Sequence, residues 1–340
     1  MKTNICLAVI TLLFTITSCN RTAAEGRDPI RLIIETDMGN DIDDALALDL
    51  VYKAMDTGAV DILGISHHKK SDYASEYIDI LNTWYGYANI PIAKAAQCIE
   101  NTEATDYTKL VCELKVDGRP AFLRTKSAND VAESVTFYRK TLSAQSDHSV
   151  TILSLGFGTT LARLLDSGPD AYSALSGREL VAQKVCLLAI MAGSFGENMR
   201  AEFNVVNDRS SMQQLFATWN TPIVLAPFEL GKKVQYPASA IENSFGWTSL
   251  HPVVEGYKCY RQMPYDRATW DLMPFIWLLH PDFFTTSDAG KITIDDNGYT
   301  HFTPDASSNH VWLDATPTQA EVLKAYILAE STRPPHKYAR

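Results

Sequence analysis

The sequence predicts an α/β fold: a single domain on an open, mainly parallel sheet with flanking helices, ending in a small C-terminal β-hairpin. Three observations lead there. Val150 to Leu155 and Val185 to Met191 are short, continuous apolar runs, the pattern of strands covered on both faces. Around them, segments of strand-like composition alternate with segments of helical period, as in βαβ units. No internal repeat or low-complexity linker divides the 340 residues.

The chain opens on a targeting segment. Lys2 supplies a positive start, and Ile5 to Ile16 is an apolar run of about a dozen residues. A membrane-spanning helix needs about 20, so this run is too short to span. Ile16-Thr17-Ser18-Cys19 resembles the bacterial lipobox, in which a small residue precedes the cysteine that takes the lipid. An ordinary secretory signal with a chance cysteine is the other reading. The expected organisation is a lipoprotein signal peptide at 1–18, lipidated Cys19, a polar tether at 19–28 and one domain at 29–340. The protein is expected to be exported and lipid-anchored, periplasmic or at the cell envelope, meeting the membrane only through that lipid.

Each element then follows in order. Ile30 to Thr36 is a short apolar strand, and Ile42 to Ala54 has helical spacing with Leu46, Leu50 and Val51 on one side. Val60 to Ser66 reads as a second strand and Tyr73 to Tyr85 as a helix. After the two buried runs, Ser211 to Trp219 reads as a helix and Ile223 to Ala226 as a strand. Lys291 to Thr303 is a hairpin with Asn297-Gly298 as its turn, and Pro317 opens a helix running to Ala329.

Composition narrows the function. Hydrophobic residues make up 46% and charged residues 21%, which excludes collagen-like and disordered chains. A net charge of −10 argues against binding a nucleic-acid backbone. No CxxC or Cys/His spacing of a zinc site occurs; Cys98 and Cys112 are a candidate loop disulfide. Nothing in the chain excludes a homo-oligomer.

The most informative stretch is Glu35-Thr36-Asp37-Met38-Gly39-Asn40-Asp41-Ile42-Asp43-Asp44, which sets four aspartates between a strand and a helix. Carboxylates crowded on one loop repel each other unless a cation sits among them, and hard oxygen ligands suit Ca²⁺ or Mg²⁺. Helix capping is the plainer explanation for Asp41 and Asp43. It does not account for Asp37, at the carboxyl end of a strand, where open α/β sheets bind ligands.

This loop resembles the Asp-x-Asp-Pro-Gly-x-Asp-Asp signature of the inosine–uridine-preferring nucleoside hydrolase family, with Glu35 for the first Asp, Met38 for Pro and two extra residues before Asp43-Asp44. Gly156-Phe157-Gly158-Thr159-Thr160-Leu161 is similar to the family's Gly-Pro-Leu-Thr-Asn-Leu loop. Gly196-Glu197-Asn198 through Ala201-Glu202-Phe203-Asn204 resembles its Gly-Asn…Ala-Glu-Phe-Asn segment, and Thr269-Trp270-Asp271 stands at its last metal-binding Asp. The resemblance implies a nucleoside-hydrolase-like fold and calcium-dependent hydrolysis of the N-glycosidic bond of ribonucleosides. It implies Ca²⁺ on Asp37, Asp44, Asp271 and the Thr159 carbonyl, with Asp37 as general base. Asp43, Asn198, Glu202 and Asn204 would hold the ribose.

The departures fall on the leaving group. Trp270 stands where inosine- and uridine-preferring members carry His; it either stacks on the base or packs the helix. His67 and His68 after the second strand are candidate acids or plain loop residues, and Tyr265 and Asp266 are further candidates. Phe195 and Trp84 could line a base pocket, and Glu229 could orient a site residue. The alternative function is a non-catalytic or altered-substrate lipoprotein that binds a ribosyl or other sugar ligand.

Overall fold

The computed structural model describes residues 28–99 and 106–339. The signal, Cys19 and all of the tether but Asp28 lie outside the described residues. Among the described residues eleven strands form one sheet: β1 (Ile30–Thr36), β2 (Val60–Lys69), β3 (Ile92–Ile99), β4 (Ala132–Glu133), β5 (Val150–Ser154), β6 (Val185–Met191), β7 (Ile223–Ala226), β8 (Thr285–Thr286), β9 (Gly290–Ile294), β10 (Thr300–Pro304) and β11 (His310–Asp314). Their order is β10-β9-β11-β7-β6-β5-β1-β2-β3-β4, with β8 paired to β11. Every pair from β11 to β4 is parallel. The β9–β10 hairpin closes one edge antiparallel.

Burial follows the pleat. Leu32 and Ile34 of β1 join one core while Ile33 joins the other. Helices α1 (Asp43–Asp56) and α2 (Asp72–Tyr85) lie on the first face, and α3 (Ser134–Ser143) and α4 (Thr159–Asp166) on the second. Two short helices, α5 (Phe203–Asn207) and α6 (Phe228–Lys233), follow the sheet's carboxyl edge. The apolar α7 (Leu272–Leu279) and the C-terminal α8 (Pro317–Thr332) complete the first face. Pro317 opens α8 inside a Thr316/Gln319 capping box.

Strand order reverses between β1 and β5. The loops after these neighbours leave in different directions and open a crevice at their carboxyl ends, the usual ligand position in open α/β sheets.

Three expectations are corrected. Strand β2 runs to Lys69, three residues beyond Ser66, and keeps His67 and His68 buried. The hairpin loop is longer than a two-residue turn: Asp295 accepts the N–H groups of Asn297 (2.8 Å) and Tyr299 (3.0 Å), with Gly298 at φ +84°. Cys98 and Cys112 are free thiols, facing the carbonyls of Ala95 and Tyr73.

Candidate active site

The loop after β1 builds the site first. Gly39 takes φ +110°, a left-handed conformation that favours glycine, so the chain can fold back with the Asn40 N–H on the Asp37 carbonyl (3.1 Å). Asp37 is left at the strand's end and α1 starts at Asp43. Carboxylate oxygens of Asp37, Asp44 and Asp271 lie within 4.8 Å of one another, all buried. Asp271 stands immediately before α7, and its N–H donates to Asp43 Oδ2 (3.1 Å). Asp43 therefore lies in the first turn of α1 without capping it, which sets the capping explanation aside for this residue.

Electrostatics makes this cluster costly as it stands. Burial pushes Asp43 up to about 7, and the charge of Asp37 adds to it. Burial and then the charge of Asp37 hold Asp44 well above the ordinary carboxylate range. Burial and then Asp43, Asp44, Asp37 and Glu202 do the same to Asp271. One Asp44 oxygen takes the Thr36 hydroxyl; Oδ2 is buried without a hydrogen-bond partner. Three converging carboxylates and an orphaned oxygen are a hard-oxygen donor set that fits a divalent cation.

A cavity of about 200 Å³ opens on this cluster. Asp37, Asn40, Asp41, Asp43, Asp44 and Asp271 line one wall, and Leu155 and Met191 come from the ends of β5 and β6. Gly156 backs Asp37: a Cβ there would lie 2.8 Å from Asp37 Cβ and 2.7 Å from His68 Nε2. Glu202 caps α5, accepting from the N–H groups of Gly193, Asn204 and Val205, and burial pushes it up to about 7. Asn204 Nδ2 donates to the carbonyls of Leu155 and Met191, both at 3.3 Å. The remaining wall is Phe203, Phe228, Arg267 and Trp270. Trp270 stacks on Phe228 (5.4 Å between centroids, 27°), donates Nε1–H to its carbonyl, and leaves room at Gly231 for no side chain.

The structure does not bring every expected residue to this cavity. Asn198 is exposed on the loop before α5 and is not among the lining residues. Thr159 also lies off the cavity, its hydroxyl donating to Asp208 (2.7 Å). It is the first residue of α4, so its carbonyl points along the helix axis. Leu155, four residues earlier on the same loop, lines the cavity instead.

His67 and His68 belong to the interior. The Phe157 N–H donates to His68 Nε2 (2.9 Å), so the ring proton is on Nδ1 and meets Glu35 Oε1 (3.0 Å). Glu35 also accepts from Ser66 and Tyr138. His67 bonds Ser75, and burial pulls it down to about 3, so it is neutral. Tyr265 donates to the Tyr257 carbonyl and Asp266 accepts from the Ala238 N–H; Glu229 holds the Ser194–Phe195 turn. Phe195 packs on Trp312, and Trp84 sits among Tyr85, Trp247, His251 and Tyr338.

Sequence reasoning passed over Arg267, Phe228, Phe203, Asn40 and Met191. A signal existed for Asn40 and for Asp41, which lie in the stretch that is two residues longer than the family signature before Asp43-Asp44. Asn40 donates to Asp37 and accepts from buried Lys69, and Asp41 pairs with Arg267.

The profile of the inosine-uridine preferring nucleoside hydrolase family matches residues 32–326. A pyrimidine-specific ribonucleoside hydrolase, RihA, of Salmonella schwarzengrund is 27% identical over 268 residues, 75% of this chain and 81% of that protein. A plant nucleoside hydrolase, PpNRh1, superposes with TM-score 0.66 at 18% identity, over 90% of this chain and all of its own. The inosine-uridine preferring nucleoside hydrolase of Bacillus anthracis gives TM-score 0.66 at 15% identity, over 89% and 99%. With the match running from β1 into α8 and through every wall of the cavity, this chain belongs to the inosine-uridine preferring nucleoside hydrolase family, the ribonucleoside N-glycosyl hydrolases.

Proposed function

We propose that this protein hydrolyses the N-glycosidic bond of ribonucleosides in a calcium-dependent reaction, releasing nucleobase and ribose. The observation that carries this is the buried convergence of Asp37, Asp44 and Asp271, with the orphaned Asp44 Oδ2, in the wall of the cavity. Those three carboxylates would hold the ion, and a carbonyl ligand from the β5 loop would come from Leu155 rather than Thr159. A bound Ca²⁺ supplies charge neutralisation and orients water and the ribose diol.

The chain's own groups do the rest. Asp37, buried at the strand end with Asn40 on its Oδ2, takes the proton of the attacking water. Asp43 and Asn204 face the ribose hydroxyls, and Glu202 lies beside them. Trp270, stacked on Phe228, offers a flat apolar wall to the base. Bond breaking builds positive charge on the ribosyl ring, which the surrounding carboxylates favour.

The test is release of reducing sugar from a panel of ribonucleosides, with and without chelator and with Ca²⁺ or Mg²⁺ restored. Turnover that survives chelation overturns the calcium dependence. Nucleoside-dependent thermal stabilisation without turnover of any panel member overturns catalysis and marks a ribosyl-binding protein.

The amino-terminal segment supports export with a lipid on Cys19. Cys19→Ala should then move the protein from the membrane fraction to the soluble fraction.

A further inference from the structure

Among the described residues no histidine lines the cavity, yet one cation, Arg267, does. Arg267 lies on a two-residue strand with Ala268, paired antiparallel to Gln235–Tyr236, so its backbone is fixed. Its Nε donates to Asp41 Oδ1 (2.8 Å), and Nη2 reaches Asp41 Oδ2 and the Tyr260 hydroxyl (3.1 Å). The guanidinium carbon stands 5.1 Å from the Trp270 ring centroid and 5.3 Å from that of Tyr260. Nη1 has no hydrogen-bond partner among the described residues. A held cation with two N–H groups to spare, lining the same cavity as the stacked Phe228–Trp270 pair, is a donor available to a ligand in that cavity.

Deepening the hydrolase reading and resting on it, we propose that Arg267 is the catalytic residue for the leaving group, donating from Nη1 to a carbonyl oxygen of the departing base anion. The C1′–N bond breaks and its electron pair passes to the base. Water adds its hydroxyl to C1′ while its proton goes to Asp37. The base leaves as an anion hydrogen-bonded to Nη1, and takes a proton from solvent on release. Arg267 does not give up a proton, so the reaction needs no acid of histidine type. Asp41 holds the guanidinium in place.

The test compares uridine or inosine with p-nitrophenyl β-D-ribofuranoside, whose phenolate leaves without help. Arg267→Met should lower kcat on the nucleosides by about 10²–10³-fold, the usual loss of one charge-stabilising donor, and spare the phenyl riboside within about fivefold. Added guanidinium ion should restore part of the nucleoside rate. Arg267→Lys, which keeps the charge but not the fork, should fall between. Equal losses on both substrate types, or no loss on either, overturn the assignment. Wild-type protein that cleaves neither substrate overturns the hydrolase reading instead. In that event calorimetric binding of free uracil or hypoxanthine still decides the contact: at least tenfold weaker binding by Arg267→Met supports it, and unchanged affinity overturns it.

Discussion

The two walls of the cavity are built by different means. On the carboxylate wall, Asp37, Asp43, Asp44 and Asp271 are at most 4% exposed, and strand ends, helix starts and backbone N–H groups hold them. On the base wall, Phe203 is 40% exposed, and Phe228, Arg267 and Trp270 are half-buried on short segments beyond the sheet. Displacing a group on the first wall strands buried charge; displacing one on the second loses a stacking contact. The first wall is therefore rigid chemistry shared with the family, and the second is free to diverge. Trp270, where the family resemblance implies a histidine, is such a divergence, and it leaves the carboxylates in place.

The largest effect should come from the rigid wall. Asp37→Asn is expected to lower kcat by about 10²–10⁴-fold, measured as ribose release, with the fold intact by circular dichroism. Gly156→Ala comes next. Its new methyl must push on Asp37 or His68, and a displacement of about 1 Å should cost about 10²-fold in kcat. On the base wall, Trp270→Ala should raise KM by about 2–10-fold and leave Ca²⁺ affinity unchanged, the reverse of Asp37→Asn. A loss of Ca²⁺ affinity in Trp270→Ala would erase the distinction between the walls.

The smallest effect concerns pH. Burial raises Glu202 from 4.5 to about 7 in the folded protein. Its stabilising share is thus complete below about pH 4.5 and is lost as pH rises through about 7. In chelator, Tm should fall by a few degrees between pH 5 and 8, and Glu202→Gln should flatten that slope. An unchanged slope would show that Glu202 is as accessible to solvent as the base wall.

Legibility in the sequence followed the same division. The carboxylate wall is nearly contiguous in sequence, and the alternation of strands and helices sets its loop at the sheet's carboxyl edge. Asp271 joins it from 228 residues away, and only the family resemblance found it. Arg267 meets Asp41 across 226 residues with no local period to announce it. His67 and His68 misled because apolar spacing stops at Ser66. Glu35 and the Phe157 amide satisfy both ring nitrogens of His68, and Ser75 meets Nε2 of His67, partners from other elements. Thr159 lies off the cavity while Leu155, four residues earlier, lines it, the distance between a loop and the helix it enters.

Glu202 has a consequence for measurement. One carboxylate both lines the cavity and holds the amides of Gly193, Asn204 and Val205. Any ligand that draws on its oxygens must loosen or tighten those three N–H groups. Their hydrogen-exchange rates should register occupancy of the cavity directly, with no label, no chromophore and no turnover.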